Sequence, residues 1–200
     1  MLRTIKNWLL SCASKSIQHY NIMLEDHERN NIKFKKRGKS FWMGKDYKIL
    51  NPKYISIGEN FYAQNRVKIN AIERFANFTY EPKIIIGNNV SLMDDIHIGC
   101  IDHIEIDDGC LIASHVYISD HSHGDITAQA LLVPPIHRPL VSKGPVKIGK
   151  NVWIGHGVAI LPNVTIGNNC IIGSNSVVTK SFPDSCVIAG APAKIIKQLN

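Results

Sequence analysis

A mainly β fold, in which short strands coil into stacked three-sided turns, is what the sequence predicts, and three observations predict it. An aliphatic residue recurs every sixth position at Ile86, Leu92, Ile98 and Ile104. After a slip of two it continues at Ile106, Ile112 and Ile118, and again at Ile148, Ile154, Ile160, Ile166, Ile172 and Val178. A glycine often follows it (Gly87, Gly99, Gly149, Gly155, Gly167, Gly173), and a second apolar residue stands four places on (Val90, Ile96, Val116, Val152, Val158, Val164, Cys170). A period of six fits neither an isolated helix nor a simple amphipathic strand. It fits a chain that runs a strand, turns a corner and repeats, with the aliphatic side chain pointing inward. Three such sides close a coil of about 18 residues, which stacks on the next through parallel pairing. Each inward Ile, Leu or Val stabilises by roughly 1.5–3 kcal/mol when buried. Asn in "GNN" and "GKN" tolerates left-handed backbone at the corners. Cys170, on an inward beat, reads as a small core residue.

The chain divides into three parts. Residues 1–45 form a helical, basic extension, in which Ile5, Leu9, Ala13, Ile17, Tyr20 and Leu24 recur at helical spacing. That helix is expected to cap an open end of the coil, and a membrane-surface helix is the alternative. Residues 46–183 form the β-coil, with an extruded loop at 121–145, and residues 184–200 a tail. The net charge of +7 resides wholly in the extension, where ten Lys/Arg face three Asp/Glu. Its "KFKKRGK" cluster suits an anionic membrane surface as well as a plain solvated face. No recognition motif accompanies it, so nucleic acid is not expected.

Other classes are set aside. The apolar stretch near Trp8–Ala13 is shorter than a signal-peptide core, and no run approaches the roughly 20 residues of a membrane span. Five cysteines without C-x-x-C spacing indicate neither a disulfide framework nor a zinc cluster. Reduced thiols and a cytoplasmic location, with possible contact at the inner face of the membrane, fit best.

The beat stops at "ISDHSHGDI", residues 118–126, where two histidines flank a serine. The hexads, and above all "GPVKIGKNVWIGHGVAILPNVTIGNNCIIGSNSVVTKSFPDSCVIAGAPAKIIKQL", resemble the left-handed parallel β-helix of the hexapeptide-repeat acyltransferases. "DHSHG" followed by "RPLVSKGPV" looks closest to members that O-acetylate bacterial surface polysaccharides. The resemblance runs from about residue 56 to the C-terminus. It implies the left-handed winding, acetyl-CoA as co-substrate, no metal, and a homotrimer with sites between subunits.

It also implies site residues. In the resembled enzymes a histidine five places past the inward aliphatic takes the proton from the acceptor hydroxyl. Counted from Ile118 that is His123, placed ahead of His121 as the base. Imidazole suits the work at neutral pH. Asp120 either orients an imidazole or caps the turn. A backbone N–H near Gly155 or His156 would steady the oxyanion. Trp153, His156 and Ser174 match the pantetheine channel. Thr179, Lys180, Lys194 and Lys197 match the end that holds the nucleotide phosphates, although the family often has arginine at the last two. Independently of the resemblance, Arg138, Asp102 and Asp95 are expected to contact the acceptor sugar, and the apolar, proline-restricted loop from Gly124 to Pro145 to reach a neighbouring subunit.

The six-residue spacing is further read as stacking His97 over His103 and placing His115 on the same side as His121. Zinc hydration chemistry, known for this fold, is set aside because the histidine spacing does not match its ligands. The leading expectation is acetyl-CoA-dependent O-acetylation of a surface-glycan sugar or its precursor. N-acetylation of a nucleotide-linked amino sugar is the alternative. A catalytically silent trimeric scaffold is the alternative of another class.

Overall fold

The computed structural model describes residues 10, 14, 15, 17, 20, 21, 23, 24 and 27–199. Two compact units emerge, Met1–Lys33 and Phe34–Asn200. In the first, the described residues from 10 to 31 are helical, and Ile17 and Tyr20 are exposed. Ile5, Leu9 and Ala13 lie outside the described residues.

The second unit is the coil, and it starts at Lys36, inside the segment assigned to the extension. Its strands form three parallel faces among the described residues. The first face stacks Lys36–Arg37, Ile55–Ile57, Lys83–Ile86, His103–Ile106, Val146–Ile148 and Thr165–Ile166. The second stacks Phe41–Met43, Phe61–Ala63, Ser91–Leu92, Leu111–Ile112, Trp153–Ile154, Ile171–Ile172 and Cys186–Gly190; an antiparallel return, Ala193–Gln198, closes it. The third stacks Lys48–Leu50, Lys68–Ala71, His97–Cys100, Tyr117–Ser119, Ala159–Ile160 and Val177–Val178. Every aliphatic of the six-residue beat is buried inside the prism, as are Val90, Ile96, Val152 and Cys170. The corner asparagines Asn89, Asn151 and Asn169 have φ near 55°, as "GNN" and "GKN" predict. Gly149 has no room for a side chain: a Cβ there would stand 2.9 Å from the backbone of the next corner.

The inward positions reveal where the beat breaks. From the first face to the second the step is always six residues, as in Ile57 to Ala63 or Ile148 to Ile154. From the second to the third it is also six, as in Leu92 to Ile98. Irregularity falls on one edge only, between third and first faces. There the chain runs from Ile69 to Ile86, from Ile98 to Ile106 and from Ile118 to Ile148 before regaining the beat. The slip of two at Ile104–Ile106 is the smallest of these excursions. The largest are a hairpin, Arg74–Phe75 paired with Phe78–Thr79, and the loop that carries the histidines. Two insertions far apart in sequence therefore leave the prism from the same edge.

Candidate active site on one edge of the prism

The site is built where the third face ends. Tyr117–Ser119 is a face strand, and Asp120 turns the chain off the prism. His121–His123 then pairs antiparallel with the returning Leu140–Ser142. In such a ribbon alternate residues share a side, so His121 and His123 project together and Ser122 opposes them. Between the two strands a short helix, Ala128–Leu131, is capped by the Thr127 hydroxyl. Ile126, Leu131, Leu132 and Ile136 stand exposed around it. A cleft of about 450 Å³ opens on this edge, lined by Tyr117, His121, His123, Lys143, Leu161 and Thr179 among others.

Asp120 is fully buried and anchors the arrangement. Its carboxylate lies 2.9 Å from His121 Nδ1 and accepts the backbone N–H groups of Ile101 and Asp102 at 3.0 and 2.8 Å. The Cys100 thiol donates to it at 3.2 Å. Burial alone would raise this carboxyl's pKa. The His121, Ile101, Asp102 and Cys100 hydrogen bonds outweigh burial and hold it below the ordinary aspartate value. Both roles weighed for Asp120, orienting an imidazole and capping a turn, are thus performed at once. An ionised acceptor at Nδ1 keeps the proton there and leaves Nε2 as the basic nitrogen of His121.

The two histidines differ in surroundings. The His121 side chain is 9% exposed. It lies over Gly99, where a Cβ would stand 3.2 Å from His121 Cε1 and 3.8 Å from His97 Nε2. Burial, then the Lys68 charge, push the pKa of His97 below the ordinary imidazole value. His123 is exposed, and its ring meets Phe75 of the hairpin edge-to-face at 5.0 Å.

Among the described residues the thiols of Cys100, Cys110, Cys170 and Cys186 are buried and offer no accessible nucleophile. Burial raises the pKa of Cys110 to about 11, and burial with the Asp120 charge raises that of Cys100 further.

The other predicted residues divide between two edges. Thr179 lines the histidine cleft, and Lys180 follows it, with Nζ 5.8 Å from the Phe182 ring. Asp102 also lies here, accepting from the Ser142 hydroxyl at 3.3 Å. Gly155, His156, Ser174 and Asp95 lie instead on the edge between second and third faces. Trp153 is 51% exposed on the second face, in a lateral row with Ile171, Val187 and Lys197. Lys194 sits beside that row on the same return strand, paired with Ala189.

Asp95 is paired with Arg66 at 2.7 Å, on the same edge as Gly155, His156 and Ser174. Arg138 lines the histidine cleft, and its Nε donates to the Val133 carbonyl at 2.6 Å. Two expectations require correction. The Gly155 N–H donates to the Ile172 carbonyl at 2.8 Å, so of the two positions expected to supply the oxyanion donor, Gly155 is committed to the parallel ladder. Histidines six apart do not stack, because six residues advance one face. His97 is on the third face and His103 on the first, while His115 packs against His156 at 5.0 Å on the opposite edge from His121.

Sequence reasoning missed Phe75 and Tyr80. The Tyr80 hydroxyl accepts the Leu140 N–H at 2.7 Å, tying the hairpin to the loop. The only sequence signal was the eleven-residue interval, 72–82, between two strands of the beat.

Comparisons with known proteins agree with this architecture. Residues 145–180 match the family model for the bacterial transferase hexapeptide (six repeats). Over 156 residues the chain is 40% identical to WbbJ of Escherichia coli K12, named for lipopolysaccharide biosynthesis O-acetyl transfer, with 76% of each chain covered. It is 30% identical to a galactoside acetyltransferase solved with coenzyme A, with a TM-score of 0.57 over 84% of this chain and 66% of that one. An N-acyltransferase from Bacillus cereus, solved with a dTDP-linked 4-amino sugar and coenzyme A, shares the fold at 24% identity and a TM-score of 0.65, covering 88% and 89%.

Proposed function

This chain belongs to the hexapeptide-repeat acyltransferases, whose coil winds left-handed, and uses acetyl-CoA; from that premise we propose that it O-acetylates a sugar of a bacterial surface polysaccharide or its precursor. The observation that supports this reading is the histidine ribbon opening on a cleft that also holds Thr179. His123 is the proposed base. It is the more open of the two imidazoles, and an acceptor hydroxyl must come within hydrogen-bond reach of the base. The acceptor oxygen attacks the acetyl carbonyl carbon while its proton passes to His123. The carbon–sulfur bond then breaks, and the proton returns to sulfur as CoA leaves as the thiol. Transfer is direct, in keeping with the raised thiols.

In one copy, the residues matched to pantetheine and the histidine cleft lie on different edges, separated by the third face. A closed three-fold assembly sets one copy's Trp153, His156 and Ser174 against the next copy's His121 and His123. The exposed apolar loop residues Ile126, Leu132 and Ile136 then cover a neighbour.

The test is acceptor-dependent release of CoA. His123→Ala should lower kcat by about 10²–10⁴-fold with little change in the KM for acetyl-CoA. The Asp120–His121 contact favours a second assignment within the same reaction, His121 as base. Loss of activity in His121→Ala with survival in His123→Ala would select it. Wild-type protein that binds CoA yet acetylates no sugar would end both.

A further inference from the structure

The hairpin beside the histidines has a structure that catalysis as proposed does not use. It is an insertion at a corner that in the next coil takes two residues, Ile101 and Asp102. Its strands place Phe75 opposite Phe78 and Arg74 opposite Thr79. A two-residue turn, with Ala76 at φ 50°, joins them. Alternation puts the two phenylalanines on one side of the ribbon and Arg74 with Thr79 on the other. The Arg74 side borders a separate cavity of about 660 Å³, where Glu73 already receives Lys53 and Tyr54. The phenylalanine side faces the site, since Phe75 meets the His123 ring. Phe78 is 41% exposed. The Tyr80–Leu140 hydrogen bond holds the ribbon to the loop, so this aromatic surface is fixed relative to the base.

We infer that the Phe75–Phe78 face of the hairpin is a stacking platform for the acceptor, and that its ligand is a pyranose ring presenting a C–H face. The electron-rich face of an aromatic ring attracts the positively polarised C–H groups of a sugar, and flat apolar contact beside a few polar groups is how pockets orient small ligands. The inference rests on the sugar-acetylation reading above and deepens it. Phe75 carries the platform into contact with the base; Phe78 extends it outward, and an acceptor stacked there projects a hydroxyl toward His123.

The probes are the methyl pyranosides of glucose, galactose, mannose and rhamnose, with the full-length protein. For whichever is acetylated, Phe78→Ala should raise the glycoside KM about tenfold, the equivalent of 1.4 kcal/mol. It should leave kcat and the KM for acetyl-CoA within about twofold, and Phe78→Tyr should restore the glycoside KM. An unchanged glycoside KM, or a parallel rise in both KM values, overturns the platform. So does a shift of Phe78→Ala to a smaller oligomer in sedimentation, which would make the face a subunit contact. Saturation-transfer NMR reads the platform without turnover: ring C–H protons of a bound glycoside should receive magnetisation from wild type and lose it in Phe78→Ala. No transfer to any glycoside in wild type rejects the platform. Transfer without CoA release from any of them keeps the platform and rejects sugar O-acetylation.

Discussion

Asp120 shows how one residue couples stability to the site. Its buried carboxylate joins the His121 imidazole to two backbone N–H groups of the coil below. Hydrogen bonds to an ionised acceptor contribute roughly 1.5–3 kcal/mol each. Because its pKa in the folded protein is depressed, this stabilisation is fully present above the ordinary aspartate value and is lost as pH falls through the folded one. Asp120→Asn should therefore lower Tm at pH 7 and flatten the acid limb of stability below about pH 4. Thermal melts from pH 2.5 to 7 measure it, and an acid limb as steep in the variant as in wild type would contradict the assignment. Gly99 is the complementary case. Its missing side chain leaves room for the His121 and His97 rings, and Gly99→Val should cut kcat at least tenfold by displacing His121 and with it the ribbon strand that carries His123. Circular dichroism would verify that the coil persists, and full activity would refute the close packing.

At the scale of elements, the hairpin and the histidine loop depend on one another. Two-stranded ribbons are marginal alone. Here each gains a partner, through the Phe75–His123 contact and the Tyr80–Leu140 hydrogen bond. Tyr80→Phe removes the acceptor from a part-buried N–H, at a cost of about 1–3 kcal/mol. The coil does not depend on that bond, so the expected result is local. Hydrogen exchange at Leu140 should accelerate and kcat should fall, with Tm nearly unchanged. Exchange at Leu140 equal to wild type would show that the ribbon stands without the hairpin. The sequence made the loop visible, because the beat stops at Ile118 and resumes at Ile148. It did not make the pairing of hairpin and loop visible. Phe75 and His123 meet only because both excursions leave the same edge, and a one-dimensional beat does not say which corner an insertion occupies.

For the whole molecule, the question is whether a single chain holds a complete site. The matched pantetheine residues and the histidines lie on different edges of a stiff prism. Flexing will not join them. An inactive His123→Ala chain mixed with an inactive Trp153→Ala/Ser174→Tyr chain should therefore recover activity after co-refolding. In the proposed trimer, random mixing returns about a quarter of the wild-type sites. No recovery in mixed trimers, with both chains present by mass, would place the complete site within one subunit.

What the sequence determined by itself is the coil. Buried aliphatics at a fixed spacing wind short strands into a three-sided coil, and the corner asparagines and glycines agree with it at each turn; the hand of the winding came from the family resemblance. Acyl transfer was legible as well, through the resemblance of "DHSHG", "VWIG" and "VVTK" to a known family. Tertiary structure decided the rest: that Asp120 grips His121 and the turn below it, that Gly155 gives its N–H to the ladder, and that Asp95 is held by Arg66. Each of these depends on which atoms of neighbouring coils come within hydrogen-bonding distance. Periodicity specifies the face a residue occupies, but such contacts are set by the lengths of the excursions at one edge, which follow no period.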